Sequence, residues 1–263
     1  LVYIIAISLP SPRTASVTYE MAIQPYFNIS SLWSSVLYFL LVLSFVLNRS
    51  QILNIIGKFL TPIIIVILLC IIGIGVLGNI EPLRASIFEN TFTEGILEGY
   101  QTFDAIGGVV VGGVLVISLA LRGTYSYEEK KFIIAWSGLI SGLGLLLMYG
   151  GLIALGAFYS GTLEVENRTE LLSLLSNNTI GSLGAAFLSV LVTLACFTTA
   201  VGIVTGTADF VQGVLGDSKP AYQITAILGC LIGVIVGQFD VQYIIRIAVP
   251  ALMFIYPITI ALI

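Results

Sequence analysis

The sequence predicts an all-α, polytopic membrane helix bundle, and three observations carry that prediction. The 263 residues are 58% hydrophobic and 9% charged, where a soluble domain carries about 25% charged residues. Mean hydropathy is +1.08. Apolar runs recur along the chain at about 20 residues each, the length a helix needs to cross a bilayer. The connections are short, so residues 1–263 read as a single transmembrane domain of about eight spans. Leu1 and Ile263 both fall inside apolar runs, so the sequence reads as a segment of a longer membrane protein.

The elements follow in order. Leu1 to Leu9 reads as the end of a helix, bent at Pro10-Ser11-Pro12 and resuming to Ile23, because proline removes a helical donor and clashes with the preceding turn. Trp33–Leu47 and Ile52–Leu77, with Pro62 inside it, are the next spans. Phe92–Leu121 follows, interrupted by the polar stretch Glu98-Gly99-Tyr100-Gln101-Thr102-Phe103-Asp104. Lys131–Tyr159 is long and glycine-rich. Glu164 to Asn178 is polar with one apolar face (Leu171, Leu172, Leu174, Leu175) and reads as an interfacial helix. Gly181–Leu215, the short Tyr222–Val236, and Val241–Ile263 with Pro250 and Pro257 complete the set.

Basic residues fall unevenly between the two ends of these spans. Arg49, Lys58, Arg122, Lys130, Lys131 and Lys219 lie on one side, Arg84 and Arg168 on the other. Arg13 and Arg246 reduce the bias without reversing it. Cytoplasmic loops are the basic ones, so the first side is inside. Trp33 and Trp136 sit near span ends, as interfacial anchors do. Glycines four apart, Gly108/Gly112 and Gly138/Gly142, predict close helix approach.

Several functions are excluded. There is no histidine, so histidine proton relays, histidine-bound zinc and Ser-His catalysis are absent from these residues. No basic cluster points to nucleic acid. Cys70, Cys196 and Cys230 match no metal spacing and read as small buried hydrophobes.

The Glu98–Asp104 stretch is the strongest functional signal. Irregular polar backbone at membrane depth occurs only where it is buried in protein or lines a cavity, and an ionisable residue there is a functional candidate. A helix broken between Gly99 and Phe103 would restart at Asp104 or Ala105. Its new N-terminus would offer N–H groups and a positive dipole end to a carboxylate. The carbonyls freed upstream would face an ammonium group or a cation. Asp104 has two compatible roles, N-cap of the second half-helix and functional carboxylate. Thr102 can also cap, and Glu98 belongs at the outer mouth.

A second constellation is Ala195-Cys196-Phe197-Thr198-Thr199. Ala195, Thr198 and Thr199 share a helix face and offer a carbonyl and two hydroxyls to an alkali cation. The same threonines could simply bond back to their own helix. Asp209 belongs toward the inner end. A third is Arg13, which could pair with Glu20 or a helix C-terminus as an anchor, or act in gating.

The stretches Pro12-Arg13-Thr14-Ala15-Ser16-Val17-Thr18-Tyr19-Glu20, Gly95…Glu98-Gly99-Tyr100-Gln101-Thr102-Phe103-Asp104-Ala105, Ala195-Cys196-Phe197-Thr198-Thr199-Ala200-Val201-Gly202 and Pro250…Ile255-Tyr256-Pro257 closely resemble the bacterial branched-chain amino acid carrier family. That resemblance covers essentially the whole chain. It implies a cation-coupled symporter of leucine, isoleucine and valine, not an enzyme, in the bacterial plasma membrane. It also implies a leucine-transporter-type fold of two inverted five-helix repeats, here lacking the first two and last two spans. The polar stretch becomes the break in that fold's sixth helix. The substrate set is then Gly99, Tyr100, Thr102, Phe103, Asp104, Ile106 and Phe197, with Phe103, Ile106 and Phe197 against the branched side chain. The cation set is Ala195, Thr198 and Thr199, with sodium as coupling ion and no other cofactor. The first helix of that fold would complete both sites.

Three other functions remain to be weighed. A carrier of the same fold could move another amino acid or amine. An intramembrane aspartyl protease would need Asp104 and Asp209 to meet at one depth. A channel would need a ring of carbonyls or carboxylates, and none is apparent in the sequence.

Overall fold

The computed structural model describes residues 2–48, 58, 61–77, 89–121, 125–159, 174 and 181–262. The regular structure among these residues is entirely helical, with no strand. The helices are α1 (Val2–Ser8), α2 (Pro10–Thr18) leading into a π-helical turn (Tyr19–Ile23), α3 (Ser31–Leu47), α4 (Thr61–Leu77), α5 (Thr91–Tyr100), α6 (Asp104–Leu121), α7 (Tyr127–Tyr159), α8 (Ser182–Val214), α9 (Lys219–Gly237) and α10 (Val241–Leu262). Five stretches are long and apolar enough to cross a membrane: Thr91–Ile117, Tyr127–Tyr159, Gly184–Val214, Lys219–Gly237 and Val241–Ala261. Ser31–Leu47 and Thr61–Leu77 are shorter apolar helices. The expected interfacial helix at 164–178 lies outside the described residues except for Leu174, as do Ile52–Ile56, Arg49, Arg84, Arg122 and Arg168.

Local chemistry sets the helix ends. Pro10 and Pro12 occupy the first turn of α2, where a missing N–H costs nothing because that turn has no partner for it. Ser126 and Glu129 form a reciprocal cap: Glu129 Oε2 accepts from the Ser126 N–H at 2.7 Å, and Ser126 Oγ accepts from the Glu129 N–H at 3.4 Å. This capping box starts α7 at Tyr127, four residues before the expected Lys131. Glu20 and Asp240 cap α10, accepting from the N–H groups of Val241 (2.8 Å) and Tyr243 (2.6 Å). Pro250 and Pro257 stand inside α10, so the Arg246 and Met253 carbonyls lose their helical donors.

The chain's contacts divide it into two compact units. The first comprises Leu1–Ile56, Ser86–Val114 and Val192–Ile263. Within it, α9 packs on α1, α2 and α3 through Gly229, Gly233 and Gly237. A Cβ on Gly229 would overlap Ile7, and one on Gly233 would overlap the buried Phe39 ring. A Cβ on Gly237 would reach Ala15 Cβ and the Pro12 carbonyl at 3.2 Å. Small residues four apart let backbones approach in this way. The pairs expected from the sequence, Gly108/Gly112 and Gly138/Gly142, instead face open space. Ser16 and Ser31 close the end of α9, donating to the carbonyls of Phe239 and Gln238 at 2.8 Å each.

The second unit comprises Gly57–Ala85 and Leu115–Leu191. There α4 packs on α7, with Ile72 against Gly151 and Leu155 fully buried. Leu139, Ile140, Leu143, Leu146 and Ile153 of α7 are exposed, which suits a lipid-facing surface. Cys70 is exposed on α4, against the expectation of burial; Cys196 is half-buried and Cys230 buried. A span in lipid has no reason to hide an apolar thiol.

Candidate functional site

The helix breaks within the polar stretch. α5 ends at Tyr100, Gln101–Phe103 are non-helical, and α6 begins at Asp104. Gly99 lies inside α5, not at the break. The chain reverses its local hand at Phe103, whose φ is +64°. A non-glycine residue in that conformation costs about 1–2 kcal/mol, so neighbouring contacts must hold it there.

Those contacts come from α2. The Arg13 guanidinium donates to the Gln101 carbonyl at 2.6 Å and lies over the Phe103 ring, 5.5 Å from its centroid. Of the partners foreseen for Arg13, the helix C-terminus is one it takes. Phe103 is itself buried, in one apolar cluster with Ala6, Ile106, Val110, Ile203, Ala248, Leu252 and Tyr256.

The upstream end is tightened rather than open. The Gln101, Thr102 and Phe103 N–H groups donate three residues back, to the carbonyls of Glu98 (3.1 Å), Gly99 (3.2 Å) and Tyr100 (3.4 Å). The Thr102 hydroxyl also donates to the Gly99 carbonyl at 2.8 Å. The Glu98 and Tyr100 carbonyls therefore keep a second lone pair for a ligand, whereas the Gly99 carbonyl already accepts two bonds; Tyr100, with the longest bond, is the least committed.

The downstream end is the N-terminus of α6. Thr102 Oγ1 accepts from the Asp104 N–H at 3.4 Å, and the first helical bond runs from the Gly107 N–H to the Phe103 carbonyl at 2.8 Å. Thr102 thus does the capping expected of Asp104. Asp104 is exposed in the first turn of α6, where a carboxylate complements the helix dipole. Above this end lies Tyr256 of α10, whose ring stacks on Tyr100 at 4.8 Å and 25°. Its hydroxyl faces the N–H groups of Ala105 and Ile106 without completing a hydrogen bond. Tyr256 stood in the sequence as a tyrosine beside a proline in an apolar run, and a buried phenol tip that needs a partner was the signal that could have singled it out.

Phe197 is not brought to the break. Its ring meets Phe45 at 4.9 Å and Tyr38 at 6.1 Å, packing against the separate core of α2, α3, α8 and α9. Phe103 and Ile106 do share one cluster at the break.

On α8, Thr198 and Thr199 both donate to the Ala195 carbonyl, at 2.8 and 2.9 Å. Three oxygens converge on one helix face, as the spacing predicts. The same bonds are ordinary back-bonding, and a hydroxyl rotor can turn its lone pairs outward. Among the described residues no three His, Cys, Asp or Glu side chains converge to hold a metal ion.

The remaining carboxylate does not join the site. Asp209 is buried and interacts with Tyr3, which stacks on Phe210 and abuts Gly113. Asp209 is therefore level with Gly113, about 13 Å along α6 from Asp104 at 1.5 Å per residue. A catalytic pair sharing one proton needs its carboxylates about 3 Å apart, so the two aspartates form no protease dyad.

The profile of the family described as branched-chain amino acid transport protein matches residues 1–263. The chain is 32% identical over 263 residues to the branched-chain amino acid transport system 2 carrier protein of Pseudomonas aeruginosa, covering 96% of this chain and 59% of that protein. It is 30% identical over 261 residues to the branched-chain amino acid permease BrnQ of Bacillus subtilis, again covering 96% and 59%. Against the transport system 3 carrier protein of Pseudomonas aeruginosa it is 32% identical over 260 residues, covering 96% and 59%. The chain thus spans about three-fifths of the length of these relatives, which are named as carriers and permeases, not enzymes. No solved structure matches.

Proposed function

Because this chain belongs to the branched-chain amino acid transport protein family, and is a multi-pass protein of the bacterial plasma membrane, we propose that it forms the greater part of a secondary carrier importing leucine, isoleucine and valine. The observation that carries the proposal is the break at Gln101–Phe103. It sets the carbonyl end of α5 against the N–H end of α6, two opposite partial charges for the two charges of an amino acid. Phe103 and Ile106 supply apolar surface beside it, suited to a branched aliphatic side chain. Asp104 adds an exposed negative charge for the substrate ammonium.

Sodium is the proposed co-substrate. The carbonyl of Ala195 and the hydroxyls of Thr198 and Thr199 are neutral hard oxygens, and carbonyl-type oxygen suits hard cations. With no histidine in the sequence, a histidine proton relay has no residue here to run on. The proposed architecture is the leucine-transporter-type inverted repeat, in which broken helices place substrate and ion near the midplane and one bundle rocks against the rest. Sodium then drives uptake through its differential affinity for the two facing states.

The test is uptake of labelled leucine by the complete carrier in proteoliposomes under an inward sodium gradient. Unlabelled isoleucine and valine should compete, and replacing sodium with choline should abolish uptake. If leucine is not accumulated while another amino acid or an amine is, the same-fold alternative takes its place. Uptake indifferent to choline replacement would remove sodium from the account.

A further inference from the structure

Five buried side-chain oxygens among the described residues lack a hydrogen-bond partner: those of Ser11, Thr18, Ser35, Tyr38 and Tyr256. Only Tyr256 stands at the helix break. Its side chain is 4% exposed, fixed by stacking on Tyr100 and by packing with Phe103, Ile106 and Leu252. Leaving a buried hydroxyl unpaired is unfavourable, so its position asks for an acceptor.

The surroundings supply donors instead. The hydroxyl faces the N–H groups of Ala105 and Ile106, first-turn donors that have no partner within an α-helix. α6 is 18 residues long, and its dipole favours negative charge at this end. Two N–H groups and a phenol O–H therefore meet at one place, and no bond to the phenol oxygen is completed there. A carboxylate, with two oxygens and about four lone-pair sites, matches them. Asp104 repels a bare anion at the same place and attracts a cation. A carboxylate and an ammonium on one carbon satisfy both demands.

Resting on the break as the substrate site, we propose that Tyr256 is a substrate-positioning residue: its hydroxyl joins the Ala105 and Ile106 N–H groups in binding the carboxylate of an α-amino acid, whose ammonium faces Asp104. The pairing selects zwitterions. 4-Methylpentanoate, lacking the ammonium, and leucinol, lacking the carboxylate, should both bind more weakly than leucine.

The test compares leucine and leucinol binding to the complete carrier, wild type against Tyr256→Phe, which keeps the ring and its stack. Leucine affinity should fall about tenfold, while leucinol, without the carboxylate, should change less than about twofold. Unchanged leucine affinity would overturn the assignment, as would equal loss for both ligands, since that reports packing alone. Asp104→Asn separates the two levels. If it weakens leucine while Tyr256→Phe does not, only the role of Tyr256 fails. If neither variant alters leucine binding, the break itself is not the substrate site.

Discussion

Arg13→Ala should loosen the helix break and weaken substrate binding without unfolding the helices around it. Two contacts are lost, the 2.6 Å hydrogen bond to the Gln101 carbonyl and the guanidinium 5.5 Å above the Phe103 ring. A hydrogen bond from a charged group contributes about 1.5–3 kcal/mol, and a cation–π contact about 0.5–2 kcal/mol. Against them stands the left-handed backbone of Phe103, which costs about 1–2 kcal/mol. Arg13 is only half-buried, so the lower halves of the two ranges apply. At the middle of those ranges the contacts exceed the strain by about 1 kcal/mol, and without them the strain stands alone. Binding to a conformation populated only in part weakens in proportion to that part, and about 1.4 kcal/mol is tenfold. Leucine Kd in the complete carrier should therefore rise about tenfold, measured by equilibrium binding alongside the thermal midpoint. Arg13→Lys should fall between, because an ammonium keeps the charge but loses the planar stack. A leucine Kd for Arg13→Ala within twofold of wild type would refute the reasoning, since the break would then hold its shape unaided.

Three further outcomes follow from other contacts. Gly233→Ala drives a Cβ into the buried Phe39 ring; overpacking of about 1–3 kcal/mol outweighs a helix-propensity gain of up to about 1 kcal/mol, so the thermal midpoint in detergent should fall. Gly138→Ala, which meets open space, should leave it unchanged or raise it, and the reverse order would contradict the packing of α9 on α3. Thr199→Ala removes one of the hydroxyls bonded to the Ala195 carbonyl and should raise the sodium concentration for half-maximal uptake more than it changes leucine KM; a selective loss of leucine recognition would move the cation elsewhere. Ser126→Ala breaks the capping box of α7 and should cost about 1 kcal/mol of stability, read as faster hydrogen exchange at the first turn of that helix, with transport unaffected.

The sequence discloses the broken helix because its physics is local. A glutamate, a glutamine and an aspartate within seven residues cannot sit in lipid as regular helix without a purpose. Local patterning brackets the break between Gly99 and Phe103 but does not say which residue turns. The chain turns at Phe103, because a guanidinium 90 positions earlier in sequence holds a conformation phenylalanine would not choose alone. Long-range partners are also why the glycine expectations divide. Spacing shows that small residues share a face but not what lies opposite. Gly138 and Gly142 face open space, while Gly229, Gly233 and Gly237, with the same four-residue repeat, meet Ile7, Phe39 and Ala15. The threonine face of α8 was legible as three oxygens on one side, whereas Phe197, adjacent in sequence, turns to α3. Tyr256 was hidden because its significance is an unpartnered hydroxyl at the end of another helix, which no spacing encodes.

The central claim is that branched-chain amino acids bind at the break between α5 and α6. Thr102 is exposed at that break, and a cysteine there is close in size to threonine. In a background freed of Cys70, Cys196 and Cys230, the rate at which a small thiol reagent labels Thr102→Cys should fall when leucine, isoleucine or valine is added in the presence of sodium. A cysteine at Leu146, exposed on α7, should show no such protection. Labelling of Thr102→Cys at the same rate with and without saturating leucine, in a carrier that still binds it, would place the substrate elsewhere and contradict the account.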